Sequence, residues 1–362
     1  MTWPFDSQMA DTPIPTIRQL AALTGVSRTT VSLALRNHPS LPADTRARIQ
    51  KFAAAQGYKQ DPVVSTLMAQ LRTARVKRSV ERIAYVTTWD TRDGWRQPGN
   101  ENNFFLGAAE RAAKLGYELE HIWAREPGLT TARLSKIFYT RAIRGIILAP
   151  FGNPRSHITM EWKYFATSAI SHTLVRPLVH RASHGHYNGM FIALRHLRHH
   201  GYRRIGFATR LEQSERVSNN WLAALLVYQQ SIPEAQRVPP LLSPVPTKAG
   251  MDAAAFEQWY LAHKPDVVIS NLINPLHLLQ KMGLRVPEDV GYASLDLLLK
   301  DDPWSGVDQQ AMEVGSSAVD LVVTQLQNNE FGLPKYPKTV YMDGLWREGN
   351  TLLAHRIAAA RA

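Results

Sequence analysis

The chain has 362 residues, 44% hydrophobic and 20% charged, enough for more than one domain with its own core. It contains no cysteine, which excludes disulfides, thiol nucleophiles and cysteine-ligated metal centres. Of the formal net charge of +12, residues 1–80 carry +7, with eleven Lys/Arg against four Asp/Glu, and a compact basic segment suits neutralisation of nucleic-acid phosphates.

The opening MTWPFDSQMADTP holds two aspartates and two prolines and lacks the apolar run of a signal peptide. With no stretch of eighteen or more apolar residues elsewhere, a cytoplasmic protein without a membrane span is expected. Residues 1–15 read as a disordered arm. Thr16 then caps a two-turn helix whose apolar Ile17, Leu20 and Ala21 share one face, and Gly25 stops it. After Thr24-Gly25-Val26, Ser27 caps a second helix with Val31 and Leu35 pointing inward, which is helix-turn-helix spacing. Its opposite face offers Arg28, Thr29, Ser32 and Leu33 to base edges in a major groove. A third helix is expected over Ala43–Gln56, with Ile49, Phe52 and Ala53 inside and Gly57 at its end.

Beyond Tyr58, Asp61 can cap and Pro62 can start another helix, ending near Leu71. The basic stretch RVKRSVER gives way abruptly to strand-like IAYVTTW, so a domain boundary is placed near residue 80. Apolar, β-rich runs at Ile83–Thr88, Ile146–Ala149, Ile205–Ala208 and Val267–Ser270 alternate with helical stretches such as Phe105–Leu115 and Met190–His200, the pattern of parallel βαβ units. In WDTRDGWRQPGNENNF, which follows the first of these strands, Trp89 and Trp95 are candidates for stacking on a sugar ring or for a dimer surface. The closing HRIAAARA is too short for sustained heptads, and residues 349–362 read as a tail.

The segment TIRQLAALTGVSRTTVSLALRNHPSLPADTRARIQKFAAAQGY resembles, without a gap, the headpiece of the lactose-repressor (LacI/GalR) family. The resemblance implies a helix-turn-helix DNA-binding domain over residues 16–60 and a hinge helix with linker over 61–80, its minor-groove wedge at Leu67. It assigns base reading to Arg28 and Thr29, with Leu33 one turn on, where members often carry an arginine. Leucine there contacts only apolar groups such as a thymine methyl, whereas arginine pairs with guanine. Phosphate-facing roles fall to Thr16, Ser27, Ser32 and Thr45, and Arg36 joins the DNA-binding set.

From residue 81 to 348, the phrases FFLGAAERAAKLGYELE, RGIILAP, HHGYRRIGFAT, GLRVPEDVGYASLD and SGVDQQAMEVGSSAVDLVVTQL are similar to the same family in order. They imply a periplasmic-binding-protein-like α/β domain of two doubly wound parallel-sheet subdomains, serving effector binding and dimerisation. Asp296 aligns with a ligand-binding aspartate. Arg216 lies one residue off the family's arginine relative to Trp221, Asn271 stands where Asn-Asp is frequent but is followed by Leu272, and Gln309 lies near the crossover. With Trp89 and Trp95 these are the candidate effector residues. The implied protein is a homodimeric, nucleoid-associated repressor of an inverted-repeat operator, controlled by a small ligand such as a sugar, needing no cofactor.

Three other readings compete. His196 and His200 have the i,i+4 spacing of a metal site, with His180, His184 and His186 clustered nearby, but no HExxH accompanies them and an amphipathic polar face is expected instead. An enzyme fused to a DNA-binding head would need a catalytic motif, and GxSxG, phosphate-loop and GxGxxG patterns are missing, so no catalytic residues are assigned. An architectural protein that coats DNA by charge would not discriminate an operator from random duplex.

Overall fold

The structure, a computed structural model, describes residues 15–58, 81–96, 100–244, 250–299 and 301–353. The expected arm before Pro15, the hinge with Leu67 and the tail beyond Leu353 lie outside the described residues. The described chain divides into two compact units, residues 15–58 with 324–330, and residues 81–323 with 331–353.

In the first unit, α1 (Ile17–Thr24), α2 (Arg28–Leu35) and α3 (Ala43–Ala55) close on Leu20, Ala21, Val31, Ala34, Ile49 and Ala53. Thr16 forms a capping box with Gln19: its Oγ1 accepts from the Gln19 amide at 3.3 Å and its own amide donates to Gln19 Oε1 at 2.7 Å. Gly25, at φ 68°, takes the left-handed turn that frees the chain to start α2, and Ser27 Oγ caps α2 by accepting from the Thr30 amide at 3.0 Å. The inward pair of α2 is Val31 and Ala34 rather than Val31 and Leu35, because the short helix presents its i,i+3 edge and Leu35 only packs against the cluster. Gln50 Nε2 donates to the Ala34 carbonyl at 2.8 Å, which ties α3 to the end of α2.

The second unit has two lobes. The first lobe begins with β1 (Glu81–Thr87), α4 (Asn100–Lys114), β2 (Tyr117–Trp123), α5 (Thr131–Thr140) and β3 (Gly145–Leu148). It continues through β4 (Ser156–His157), β5 (Ala166–Ile170), β6 (Leu174–Arg176) and β7 (His180–His184). The chain then crosses at Gly185 and builds α6 (His186–His199), β8 (Ile205–Arg210), α7 (Leu211–Arg216), α8 (Asn220–Gln230), β9 (Leu241–Ser243), α9 (Ala253–His263), β10 (Val267–Ser270), α10 (Asn274–Lys281), β11 (Gly291–Ser294) and β12 (Gly306–Asp308). It returns after Gln309 as α11 (Ala311–Asn328) and β13 (Thr339–Met342), then crosses once more at Asp343-Gly344 to end in β14 (Leu345–Arg347).

The sheets run β13-β7-β5-β3-β1-β2, all parallel, and β14-β12-β11-β10-β8-β9, parallel except for the edge strand β14. β3, β5, β10 and β11 are buried along their whole length, which is why they read as unbroken apolar or small runs. α4 and α11 meet backbone to backbone at Gly107 and Gly315, where an added Cβ would lie 1.9 Å from the Met312 carbonyl oxygen and 2.0 Å from that of Phe104. Among the described residues no helix is long and apolar enough to cross a membrane.

Candidate functional site

Each unit offers a surface with chemistry. In residues 15–58 six Lys/Arg stand against the single Asp44, a net +5. Ser27, Arg28 and Thr29, at the start of α2, are exposed, and Ser32 and Leu33 are half-buried one turn on. Thr45, in the first turn of α3, is half-buried as well. The Thr16 and Ser27 hydroxyls are engaged as helix caps, while Arg36 turns back so that its Nε donates to the Ser32 carbonyl at 2.9 Å. The start of α2 therefore presents exposed polar side chains, with the Ser27 hydroxyl holding the Thr30 amide.

In the second unit a cleft of about 250 Å³ opens where strands of both sheets end. Five of the seven sequence candidates line it: Arg216, Trp221, Asn271, Asp296 and Gln309. Asp296 follows β11; its backbone N–H donates to Ser294 Oγ at 3.0 Å, and Asn100, at the start of α4, donates to its Oδ1. Burial, with Glu101 and more weakly Asp308 and Asp302 adding negative charge, pushes the Asp296 carboxyl up to about 8 against the Asn100 hydrogen bond. Arg216 ends α7, donates to the Phe151 carbonyl at 2.8 Å and to that of Gly152, and faces Glu101 at 3.7 Å. Asn271 Oδ1 accepts from Thr209 Oγ1 at 2.6 Å, and Gln309 Nε2 donates to the Leu295 carbonyl at 2.9 Å. Both amides are thus held by the fold at the cleft wall.

Trp89 and Trp95 do not line the cleft, so the expected stacking role is corrected. Trp95 is 2% exposed and packs among Tyr85, Phe105 and His121 with Arg96 over its ring, and its indole N–H donates to the Arg92 carbonyl at 3.0 Å. Trp89 is half-buried, and its carbonyl accepts from Trp123 Nε1 at 2.8 Å. The Trp95 ring and the Trp89 carbonyl tie the segment after β1 to its own lobe.

Sequence reasoning missed Asn100, Glu101, Ser183, His184 and His186 as cleft residues. The signal was the histidine cluster itself, which falls where β7 ends and the chain crosses. His184 and His186 are buried together with the half-buried His172, and burial lowers His184 and His172 to about 4 and His186 well below its usual range. The imidazoles are therefore neutral near pH 7. Among the described residues no group of three His, Asp or Glu side chains is placed to hold a metal ion. His196 and His200 instead share Glu348, at 3.8 and 3.2 Å, and His196 stacks on Trp346.

Because His172 and His184 charge at 6.5 when unfolded and near 4 when folded, their contribution to stability is complete above about pH 6.5 and is lost as pH falls towards 4. Urea unfolding of Asp296→Asn, in which the opposing carboxyl titration is removed, is expected to show that loss. A flat profile from pH 6.5 to 4.5 would contradict the buried neutral state.

Residues 16–61 match the bacterial regulatory proteins of the lacI family, and residues 194–337 match a periplasmic binding protein-like domain. No curated protein matches the chain. Among solved structures, a transcriptional regulator CelR–cellobiose complex is 19% identical, with a TM-score of 0.55 over 93% of this chain and 99% of that one. A lac repressor dimer bound to operator and the anti-inducer ONPF is 15% identical, with a TM-score of 0.53 over 94% and 100%. A LacI family transcriptional regulator from Enterococcus faecium with bound ribose is 16% identical, with a TM-score of 0.54 over 76% and 100%. At these identities the likeness is one of fold.

Proposed function

Because the chain belongs to the lacI family of bacterial regulatory proteins, we propose that it is a homodimeric transcriptional repressor in the cytoplasm whose operator affinity is set by a small polyhydroxylated effector in the cleft. The observation that carries this is the exposed polar start of α2, Ser27-Arg28-Thr29, on a unit of net charge +5 in the same chain as a ligand-sized cleft at strand ends. Arg28 and Thr29 read base edges. Leu33 supplies apolar contact, and Thr16, Ser27, Ser32 and Thr45 position the unit on phosphates. Arg36 steadies the end of α2 and adds charge near the backbone. Residues 61–80 act as the hinge, with Leu67 as a wedge that kinks a base step. The solved relatives named with cellobiose or ribose support a carbohydrate effector, and the operator-bound dimer supports an inverted-repeat site. Effector binding shifts the population of lobe arrangements and so the DNA-competent fraction. No turnover is assigned to the cleft.

Selection of binding sites from random duplex tests the reading. An inverted repeat is expected to emerge, and Arg28→Ala is expected to weaken binding to it by about 10- to 100-fold while relaxing preference at one base pair per half-site. Equal affinity for selected and random duplex at moderate salt would replace the repressor with a charge-driven coating protein.

A further inference from the structure

Apart from the three places where the chain crosses between them, the lobes are joined across the cleft by their own side chains. Arg216, at the end of α7 in the second lobe, sends one terminal nitrogen to two carbonyls of the first. It donates to Phe151 at 2.8 Å and to Gly152, while the other terminal nitrogen faces Glu101 at 3.7 Å. Arg155 of the first lobe lies 3.5 Å from Glu215, the residue before Arg216. A second bridge leaves the start of α4, where Asn100 donates to Asp296 and Asn103 donates to the Leu298 carbonyl at 3.4 Å. Asn100, Glu101, Arg216 and Asp296 all line the cleft, as do His184 and Gln309 at two of the crossings. The cleft is therefore bounded by covalent crossings and by two bridges that the chain makes with itself.

The two bridges differ in strength. The Arg216 side chain is only 14% exposed, and burial lowers its pKa against the charge of Glu101. A guanidinium withdrawn from water needs hydrogen bonds in place of its hydration, and the first lobe supplies them. A net hydrogen bond to a charged group shifts a two-state equilibrium by about 10- to 100-fold. The neighbouring pair adds little, since Arg155 is 73% exposed. The Asn100 bridge ends on a carboxyl whose pKa is pushed up to about 8, so near pH 7 it is a neutral hydrogen bond and the weaker of the two. Both terminal nitrogens of Arg216 are thus committed to the opposite lobe, although family resemblance points this arginine at the effector.

We propose that Arg216 is an interlobe clasp, which holds the cleft shut through contacts made wholly within the chain. Closure then does not wait for an effector, and a small molecule enters only from the fraction in which the clasp has parted. The clasp goes beyond the reading of the cleft as an effector pocket and is independent of which ligand the cleft takes.

The test measures the distance between the lobes with nothing added. Because the chain has no cysteine, Lys136→Cys on α5 and Gln258→Cys on α9, both exposed, place one spin label on each lobe. The labelled full chain is unfolded and refolded to strip any carried small molecule, diluted with unlabelled chain, and read by pulsed electron paramagnetic resonance. One narrow distance is expected when Arg216 is intact. Arg216→Gln is expected to bring in a second distance, with the closed-to-open ratio lowered about 10- to 100-fold, whereas Arg155→Ala leaves the distribution as it was. Two populations or a broad spread with Arg216 intact overturn the clasp, and that arm stands even if Arg216→Gln folds poorly. A folded Arg216→Gln that keeps the single distance also overturns it. So does an equal opening in Arg155→Ala, which would give closure to the exposed pair instead. Since no ligand takes part, failure of the clasp leaves the effector pocket standing.

Discussion

Replacing Asp296 by asparagine is expected to abolish the effect of the ligand on DNA affinity and, in the same protein, to remove a loss of stability between pH 6.5 and 8. The side chain keeps its size and still accepts from Asn100, so the cleft retains its shape. What changes is that the group can no longer ionise. The folded carboxyl titrates at about 8 against an ordinary 3.8, so its favourable contribution is complete below about pH 4 and is lost as pH rises through 8. The buried histidines act with the opposite sign, but their window closes near 6.5. Between pH 6.5 and 8 the carboxyl therefore acts without them, and the interval is worth at most ~2 kcal/mol at ~1.4 kcal/mol per pH unit. Water reaching the cleft reduces that figure. Urea unfolding at both pH values should show the native protein weakening and the variant level. Parallel profiles would mean that Asp296 is ionised throughout and that Glu101 does not press on it. A preserved ligand response would move the pocket elsewhere.

The second large effect lies at the contact between α4 and α11. Gly315→Ala is expected to cost about 3 kcal/mol or more in the second unit, because the new methyl would stand 2.0 Å from the Phe104 carbonyl oxygen, and a backbone atom cannot swing aside as a side-chain tip can. The reciprocal position, Gly107, faces the Met312 carbonyl in the same way. Gly116→Ala is the control: at φ 82° with no neighbour near its Cβ position, it should cost only about 1 kcal/mol of backbone strain. Tryptophan-monitored unfolding separates the two, and equal midpoints would mean that the helices part freely. Because α4 carries Asn100, Glu101 and Phe104 into the cleft and α11 carries Val314, whatever Gly315→Ala leaves folded should also bind effector weakly.

These effects differ in how far the sequence announces them. The headpiece is legible almost residue by residue, since Thr16, Gly25, Ser27 and Gly57 act through local capping and turn chemistry that depends on the nearest few residues. The sheets are legible as well, because strands covered on both faces must be apolar throughout, as Ile146–Leu148 and Val267–Ile269 are. The cleft is less so. Asp296, Arg216, Asn271 and Gln309 are singled out by strand-end positions and family resemblance, and all four line the cleft. Trp95 was misplaced because a tryptophan beside Asp93, Gly94 and Arg96 looks exposed, and only the fold brings Tyr85 and Phe105 around it. His184 and His186 drew attention as possible metal ligands, and their burial depends on contacts far away in the sequence. Nothing local to Gly315 reveals that Phe104 lies against it.

His184 occupies an unusual place in the mechanics of the fold. Built Cβ atoms at Gly189 and Gly344 would both run into its ring, the Gly185 amide donates to the Met342 carbonyl at 2.8 Å, and Asn188 reaches Asp343 at 3.1 Å. The first and third crossings between the lobes are thereby laced together around one imidazole. Those two crossings cannot move apart without breaking these contacts, so they must move as a unit.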